Sequence, residues 1–342
     1  MRMLPAVAVP SWRSALAFIA AAALAAGAWT GVTAAPTGAG GHDPAVVERL
    51  FALDPDRVSG REVAEVLARV PAPRIVLFQG SFAPVTMAPF AEFLVAMGYP
   101  SDRIRHPRDG SYSSSSFTDS RQIAGTLAWY YESEGLRPLV IGHSQGGMLA
   151  IRVLYELAGA FGDSIPVWNP VTDAPLPRTA IVDPLTGDAR PVVGLRLPYA
   201  AAIATGKLAR VLLGQWDMLA KLREIPDSVE EFTGFAIEWD LLAGLFPRSD
   251  PYLATGSARV RNVILPASYT HIGLPVTRHL AADPVTRAWI EAYVPDGNIA
   301  IPDDPAIDAT NLVHAADIWH SVKRHWTLEA RRLVAAQRPE VR

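Results

Sequence analysis

The chain has 342 residues, half of them hydrophobic, and its 31 basic and 34 acidic residues give a formal charge of −3. This apolar content is ample for a packed core and excludes an intrinsically disordered chain. The weak negative charge argues against nucleic acid as a partner. Because there is no cysteine, disulfides, a thiol nucleophile and cysteine-ligated metal centres are excluded.

The first 34 residues have the pattern of a secretory signal peptide. Arg2 and Arg13 precede an unbroken run of small and apolar residues at 15–28, and small residues follow at 32–34. The run is shorter than the roughly 20 residues that a membrane-spanning helix needs. We therefore expect residues 1–34 to be removed on export to the periplasm or medium, with 35–42 as a linker. The alternatives are an uncleaved anchor or a buried N-terminal helix.

Residues 43–342 alternate helix-like and strand-like segments, starting with two short helices over 43–70. Continuous β-branched and apolar runs predict buried strands over 74–78, 139–141, 232–237 and 259–265. Start and stop residues favour helices over 87–97, 118–134, 146–158, 284–293 and 311–334. Such alternation predicts one α/β domain, with a mostly parallel central sheet and helices on both faces.

Residues 165–198 interrupt this alternation, because their seven prolines are too many for a regular helix or sheet. The next segment, 199–225, has a helical pattern. We therefore interpret about 172–228 as a cap or lid inserted over one end of the sheet, whose apolar residues would line an acyl pocket; the alternative is structural decoration. About 296–342 would form a helical C-terminal extension.

The sharpest motif is Gly142-His143-Ser144-Gln145-Gly146-Gly147, which lies between a predicted strand and a predicted helix. Such a tight turn strains the backbone of Ser144, and only small residues two positions before and after it avoid a clash. The turn raises the serine hydroxyl above the sheet edge, at a helix N-terminus that favours negative charge. The motif therefore predicts that Ser144 is a nucleophile. The alternative is a glycine-rich turn whose serine has no catalytic function.

This motif and the order of elements over residues 73–294 resemble the α/β-hydrolase superfamily, and GHSQGG resembles its lipase and carboxylesterase members. The resemblance implies the chain order serine, acid, histidine, with the histidine in a loop after the last strand of the sheet. It also implies an oxyanion hole with two backbone N–H donors. One would be that of Gln145, and the other that of Ser81 or, alternatively, Phe82. Gln79-Gly80 stands where many relatives have His-Gly.

A serine hydroxyl needs a base to take its proton, and histidine serves near neutral pH. His271 is the leading candidate because it follows the predicted strand 259–265 by a short turn. His314, on the long C-terminal helix, is the alternative. His143 adjoins Ser144 but points to the opposite face, so we interpret it as a packed residue or as one that supports the catalytic residues. The other histidines are His42, His106, His279, His320 and His325.

The base in turn needs a carboxylate that fixes its tautomer. Asp240 lies just past the predicted strand 232–237 and is the leading candidate. Asp217 has a similar neighbourhood, although residues 208–222 also have the pattern of an amphipathic helix. Glu238 and Asp250 are weaker candidates.

These residues predict an exported serine hydrolase that cleaves carboxylic esters through an acyl-enzyme, using Ser144, His271 and Asp240. The expected substrate is a small-molecule or lipid-like ester, and no cofactor or metal is expected, because HExxH, GxGxxG and the Walker pattern are all absent from the sequence. Two alternatives remain: the same site could transfer acyl groups or cleave amides, or the protein could be a non-catalytic binding protein of the same fold.

Overall fold

The computed structural model describes residues 43–206, 216–243, 249–295, 297 and 300–337. The predicted signal peptide and linker lie outside these ranges, as do residues 207–215 of the predicted cap. Within the described ranges, no helix combines the length and the apolar character that crossing a membrane would require.

A central sheet of five parallel strands organises the domain. The strands lie side by side in chain order: β1 (Ile75–Phe78), β2 (Leu139–His143), β3 (Leu197–Ile203), β4 (Val229–Ile237) and β5 (Arg259–Leu265). Because all five strands run in the same direction, their carboxyl ends lie together at one end of the sheet. The predicted α/β class with a mostly parallel sheet is confirmed.

The central strand β3 contradicts the predicted helical pattern over 199–225. All seven of its residues are buried, with Tyr199 and Ala201 packed on one face and Ala200 and Ala202 on the other. A strand that is covered on both faces shows no polar alternation, and its consecutive alanines favour a helix. Part of the predicted insertion 172–228 is therefore sheet.

The segments around β3 form small antiparallel and parallel pairs rather than helices. Trp168–Asn169 pairs with Ala174–Pro175, Ala180–Val182 with Ala189–Pro191, and Glu224–Ile225 with Leu253–Ala254. In the described part of the predicted cap, the one helical element is the single 3₁₀ turn Trp216–Met218.

Eight α-helices in the described ranges surround the sheet. They are α1 (Pro44–Ala52), α2 (Gly60–Glu65), α3 (Ala88–Ala96), α4 (Ser120–Glu134), α5 (Gln145–Leu157), α6 (Arg278–Ala282), α7 (Pro284–Ala292) and α8 (Leu312–Gln337). Side chains of α1, α3 and α8 pack on one face of the sheet, whereas those of α4 and α5 pack on the other. The prediction of helices on both faces is confirmed.

The C-terminal helix α8 is a layer of the core, not an appendage. Its Trp319 and Trp326 are fully buried in the cluster that covers one sheet face. Buried ion pairs add to this packing, since Arg261 of β5 donates to both carboxylate oxygens of Asp317, at 2.6 and 2.8 Å. The predicted extension about 296–342 therefore contributes a full helix to the domain.

Candidate active site

Ser144 occupies the sharp turn between β2 and α5. Its φ of 54° lies in the left-handed region, which is strained for a residue with a side chain. Glycine is required on both sides, because a Cβ on Gly142 would lie 2.1 Å from the Gly146 carbonyl oxygen, and one on Gly146 2.2 Å from that of Phe78. The turn has the strained geometry that the motif predicts, with the serine at the start of α5.

The structure brings the three leading candidates together in one chain of hydrogen bonds. The His271 ring has its Nε2 2.9 Å from Ser144 Oγ and its Nδ1 2.7 Å from Asp240 Oδ2. An ionised carboxylate can only accept, so Nδ1 carries the proton and Nε2 is left to accept from the serine hydroxyl. Each residue follows the carboxyl end of a strand, which explains why residues so distant in sequence meet here.

Asp240 is held in its charged form by its surroundings. Burial raises the pKa of this carboxyl, but the hydrogen bond and charge of His271 and two backbone N–H groups outweigh burial and bring the pKa below its usual value. The backbone donors are those of Leu242 and Ala243, at 2.9 and 3.0 Å from Oδ1. Both carboxylate oxygens are thus engaged, and the side chain is fixed.

His143 supports the loop that carries His271. Its Nε2–H donates to the His271 carbonyl oxygen at 2.8 Å, and the two rings are 5.2 Å apart. Burial, together with the neighbouring His271, lowers the pKa of His143 to about 3, so this ring is neutral near neutral pH. The sequence predicted a packed or supporting residue here, and in the structure His143 is buried and hydrogen-bonded to the loop.

Two residues at the start of α8 hold the same loop. Asn311 Nδ2 donates to the carbonyl oxygens of Gly273 and Val276, at 2.8 and 2.9 Å, and His314 Nε2–H donates to that of Leu274 at 2.9 Å. His314, the alternative base, thus serves the loop and does not reach Ser144. Sequence reasoning missed Asn311, whose only signal is an asparagine directly before a helix.

The alternative acids are engaged elsewhere. Asp217 pairs with Arg152 at 2.7 Å and Asp250 with Arg223 at 2.8 Å, while Glu238 is exposed. Across the described ranges, no group of three or more histidine, aspartate or glutamate side chains is placed to hold a metal ion.

The loop that carries the predicted oxyanion donors runs beside Ser144. The loop after β1 passes close to Ser144, since a Cβ on Gly80 would lie 3.6 Å from Ser144 Oγ. Ser113 Oγ–H donates to Gln79 Oε1 at 2.9 Å and holds this loop. The N–H groups of Ser81, Phe82 and Gln145 have no acceptor among the described residues. The N–H of either Ser81 or Phe82 could therefore be the second oxyanion donor, beside that of Gln145.

No protein-family model matches the chain, and no curated protein matches it. Among solved structures, the chain is similar to one titled "RedJ with PEG molecule bound in the active site". The two share 14% identity with a TM-score of 0.29, over 65% of this chain and 94% of that one.

Proposed function

We propose that this protein is a serine hydrolase of the α/β-hydrolase type that cleaves carboxylic esters. The observation that carries the proposal is the chain of hydrogen bonds from Ser144 through His271 to the ionised Asp240. A hydroxyl bonded to a correctly protonated imidazole, which is in turn bonded to a buried carboxylate, is the arrangement that activates serine. The signal-like segment 1–34 supports the further proposal that the enzyme acts after export.

In the first step, Ser144 Oγ attacks the ester carbonyl while His271 Nε2 takes its proton. Asp240 stabilises the imidazolium that forms, and the N–H groups of Gln145 and of Ser81 or Phe82 donate to the oxyanion. The C–O bond to the alcohol then breaks, and His271 gives its proton to the departing oxygen. An acyl-enzyme on Ser144 and a free alcohol result.

In the second step, a water molecule takes the place of the alcohol. His271 removes a proton from this water as it attacks the acyl-enzyme, and the same backbone N–H groups hold the second oxyanion. Collapse of this intermediate returns the proton to Ser144 Oγ and releases the carboxylic acid. The cycle needs only water as co-reactant, and every proton passes through His271.

The decisive test is covalent labelling by a fluorophosphonate probe alongside hydrolysis of p-nitrophenyl acetate. Wild-type protein should be labelled and active. Ser144→Ala should keep the fold, because only a small hydroxyl is lost, but should lose labelling and about 10⁵- to 10⁶-fold in kcat. A matched control is Ser133→Ala, whose exposed hydroxyl bonds only to carbonyl oxygens of its own helix. Folded wild-type protein that neither reacts with the probe nor hydrolyses the ester would overturn the proposal.

A further inference from the structure

Two buried polar side chains, one of them next to Ser144 in the chain, have no hydrogen-bond partner among the described residues. They are Gln145, of which both amide atoms are unpartnered, and Ser116, whose hydroxyl is unpartnered. Only 1% of Gln145 and 2% of Ser116 is exposed. A buried polar group without a partner costs free energy, so two in one place point to a ligand that supplies the partners.

Both residues line the same cavity, which has a volume of about 520 Å³. This volume is within the range of small-molecule sites, roughly 300–1,000 Å³. Leu149, one turn along α5 from Gln145, adds an apolar wall, and the largely exposed Phe117 and Trp216 add aromatic surface. The cavity therefore offers hydrogen-bonding groups at buried positions and apolar surface around them.

The charged side chains that line this cavity already have partners. Arg152 and Asp217 form an ion pair at 2.7 Å, and Asp119 accepts from the backbone N–H groups of Arg121 and Gln122 at the start of α4. The unpartnered groups are thus all neutral, and among the described residues of the lining no free cation favours an anionic ligand. A ligand group that satisfies them is itself neutral.

The Gln145 amide requires a partner that both donates and accepts. An alkyl chain offers neither function, and an ether or ketone only accepts. An amide offers an N–H and a carbonyl oxygen, and its planar shape suits aromatic walls. Gln145 directly follows Ser144 in the chain, and this adjacency is what links the cavity to the serine.

We infer that the cavity is a specificity subsite for esters that carry a neutral amide group a few atoms from the scissile bond. The inference rests on the proposed esterase function and adds a substrate class to it. The amide could belong to the acyl or to the alcohol part of the ester. Gln145 through its side chain and Ser116 through its hydroxyl then determine substrate choice.

Two pairs of esters of matched shape test the inference on the full chain. For the acyl part, the p-nitrophenyl ester of N-acetyl-β-alanine is compared with that of 5-methylhexanoic acid. For the alcohol part, 2-acetamidoethyl acetate is compared with 4-methylpentyl acetate by proton release. Each kcat/KM is divided by the rate of spontaneous hydrolysis. The amide ester of at least one pair should be preferred by tenfold or more, because the alkyl ester leaves buried polar groups unpaired.

Substitutions in the subsite should reduce that preference. Gln145→Leu should lower the ratio of amide to alkyl kcat/KM about tenfold, and Ser116→Ala about threefold. The matched control is Gln122→Leu, which removes a glutamine amide that already bonds to Asp173 and lines a different cavity. It should leave the ratio unchanged. Fluorophosphonate labelling of each variant shows that its site is folded.

The result that overturns the inference is an amide-to-alkyl ratio near one in both pairs, or one that neither substitution changes, in protein that still hydrolyses esters. Loss of the proposed function looks different, because neither ester would react and no labelling would occur. In that event, calorimetry of 2-acetamidoethyl acetate and 4-methylpentyl acetate with Ser144→Ala protein decides the subsite separately. Preferential binding of the amide ester supports it, and equal or absent binding overturns it.

Discussion

Opposing effects act on the charge of Asp240. Burial disfavours its carboxylate, while His271 and the backbone N–H groups of Leu242 and Ala243 favour it more strongly. The carboxylate thereby keeps the proton on Nδ1 of His271 and leaves Nε2 as the acceptor for Ser144. The proposed reactivity of the serine depends on this tautomer.

Asp240→Asn should lower kcat for p-nitrophenyl acetate by about 10³- to 10⁴-fold with little change in KM. The amide keeps the size of the side chain but can no longer hold the imidazole in the required tautomer. Steady-state kinetics and fluorophosphonate labelling measure the effect, and circular dichroism confirms the fold. His271→Ala should cost about as much as Ser144→Ala, since the three residues act as a unit.

Asp217→Asn is the comparison, because this residue had a similar neighbourhood in the sequence but pairs with Arg152. It should remain at least a hundredfold more active than Asp240→Asn. Were Asp217→Asn the inactive variant instead, the acid would have to come from the segment after β3, and the proposed role of Asp240 would be wrong.

The meeting of Ser144, His271 and Asp240 could be anticipated from sequence because each follows an apolar strand. In a parallel sheet, residues just beyond the carboxyl ends of strands converge, whatever their separation along the chain. For His143 the sequence left a packed and a supporting role open, and it did not single out Asn311. Both residues donate hydrogen bonds to backbone carbonyls of the His271 loop, and no pattern of side chains in the sequence predicts such bonds.

The loop after β5 is held from two sides. His143 of β2 donates to it from the sheet, and Asn311 and His314 donate to it from the start of α8. Asn311 has a φ of 66°, a conformation that asparagine tolerates better than most residues. The position of the His271 ring thus depends on an element that lies far along the chain.

Asn311→Asp should slow the reaction of Ser144 about tenfold. The substitution replaces the donor that faces the Gly273 and Val276 carbonyls with an oxygen, which repels them and loosens the loop. The rate of fluorophosphonate labelling and kcat should both fall, with a loss of about 1–3 kcal/mol in the free energy of unfolding.

The matched control is Asn262→Asp on β5. Asn262 also makes two hydrogen bonds with backbone, accepting from Tyr252 N–H and donating to the Tyr252 carbonyl, but it does not touch the His271 loop. It should lose some stability, less than Asn311→Asp because Asn262 is exposed and Asn311 is buried, while keeping its labelling rate. Equal loss of reactivity in both variants would mean that general stability, not the loop, governs the site.

The local sequence pattern fails to predict the secondary structure of β3. The four predicted strands have β-branched or aromatic side chains, which favour strands, whereas β3 has three consecutive alanines. Its conformation comes from pairing with β2 and β4 on either side and from packing on both faces, which are tertiary effects. The local propensity of this segment favours a helix, but its tertiary contacts make it a strand, so the predicted helix was wrong here.

The long helix α8 links the core of the domain to the site. Its middle packs Trp319 and Trp326 against the sheet, and its first turn includes His314, which donates to the His271 loop. Packing that stabilises the fold therefore also fixes the loop. Stability and the proposed activity should respond together to conditions that weaken this layer.

Acid is such a condition, because the folded chain buries neutral histidines. Burial lowers the pKa of His314 to about 4, and burial with the nearby His271 lowers that of His143 to about 3. In the unfolded chain, each histidine titrates near 6.5. Between about pH 6.5 and 4, unfolding therefore takes up a proton at each of the two sites, and the free energy of unfolding rises with pH. This stability is fully present above pH 6.5 and is lost as the pH falls toward the folded values.

Each proton taken up on unfolding contributes a slope of about 1.4 kcal/mol per pH unit, so these two histidines contribute up to about 2.7 kcal/mol per unit near pH 5. Urea unfolding followed by tryptophan fluorescence from pH 7.5 to 5 measures that slope. In His314→Gln, the glutamine keeps a donor for the Leu274 carbonyl but cannot be protonated. Unfolding then takes up one proton fewer, and the slope near pH 5 should fall by up to about 1.4 kcal/mol per pH unit. A slope identical to that of the wild type would show that His314 is not held neutral in the folded chain.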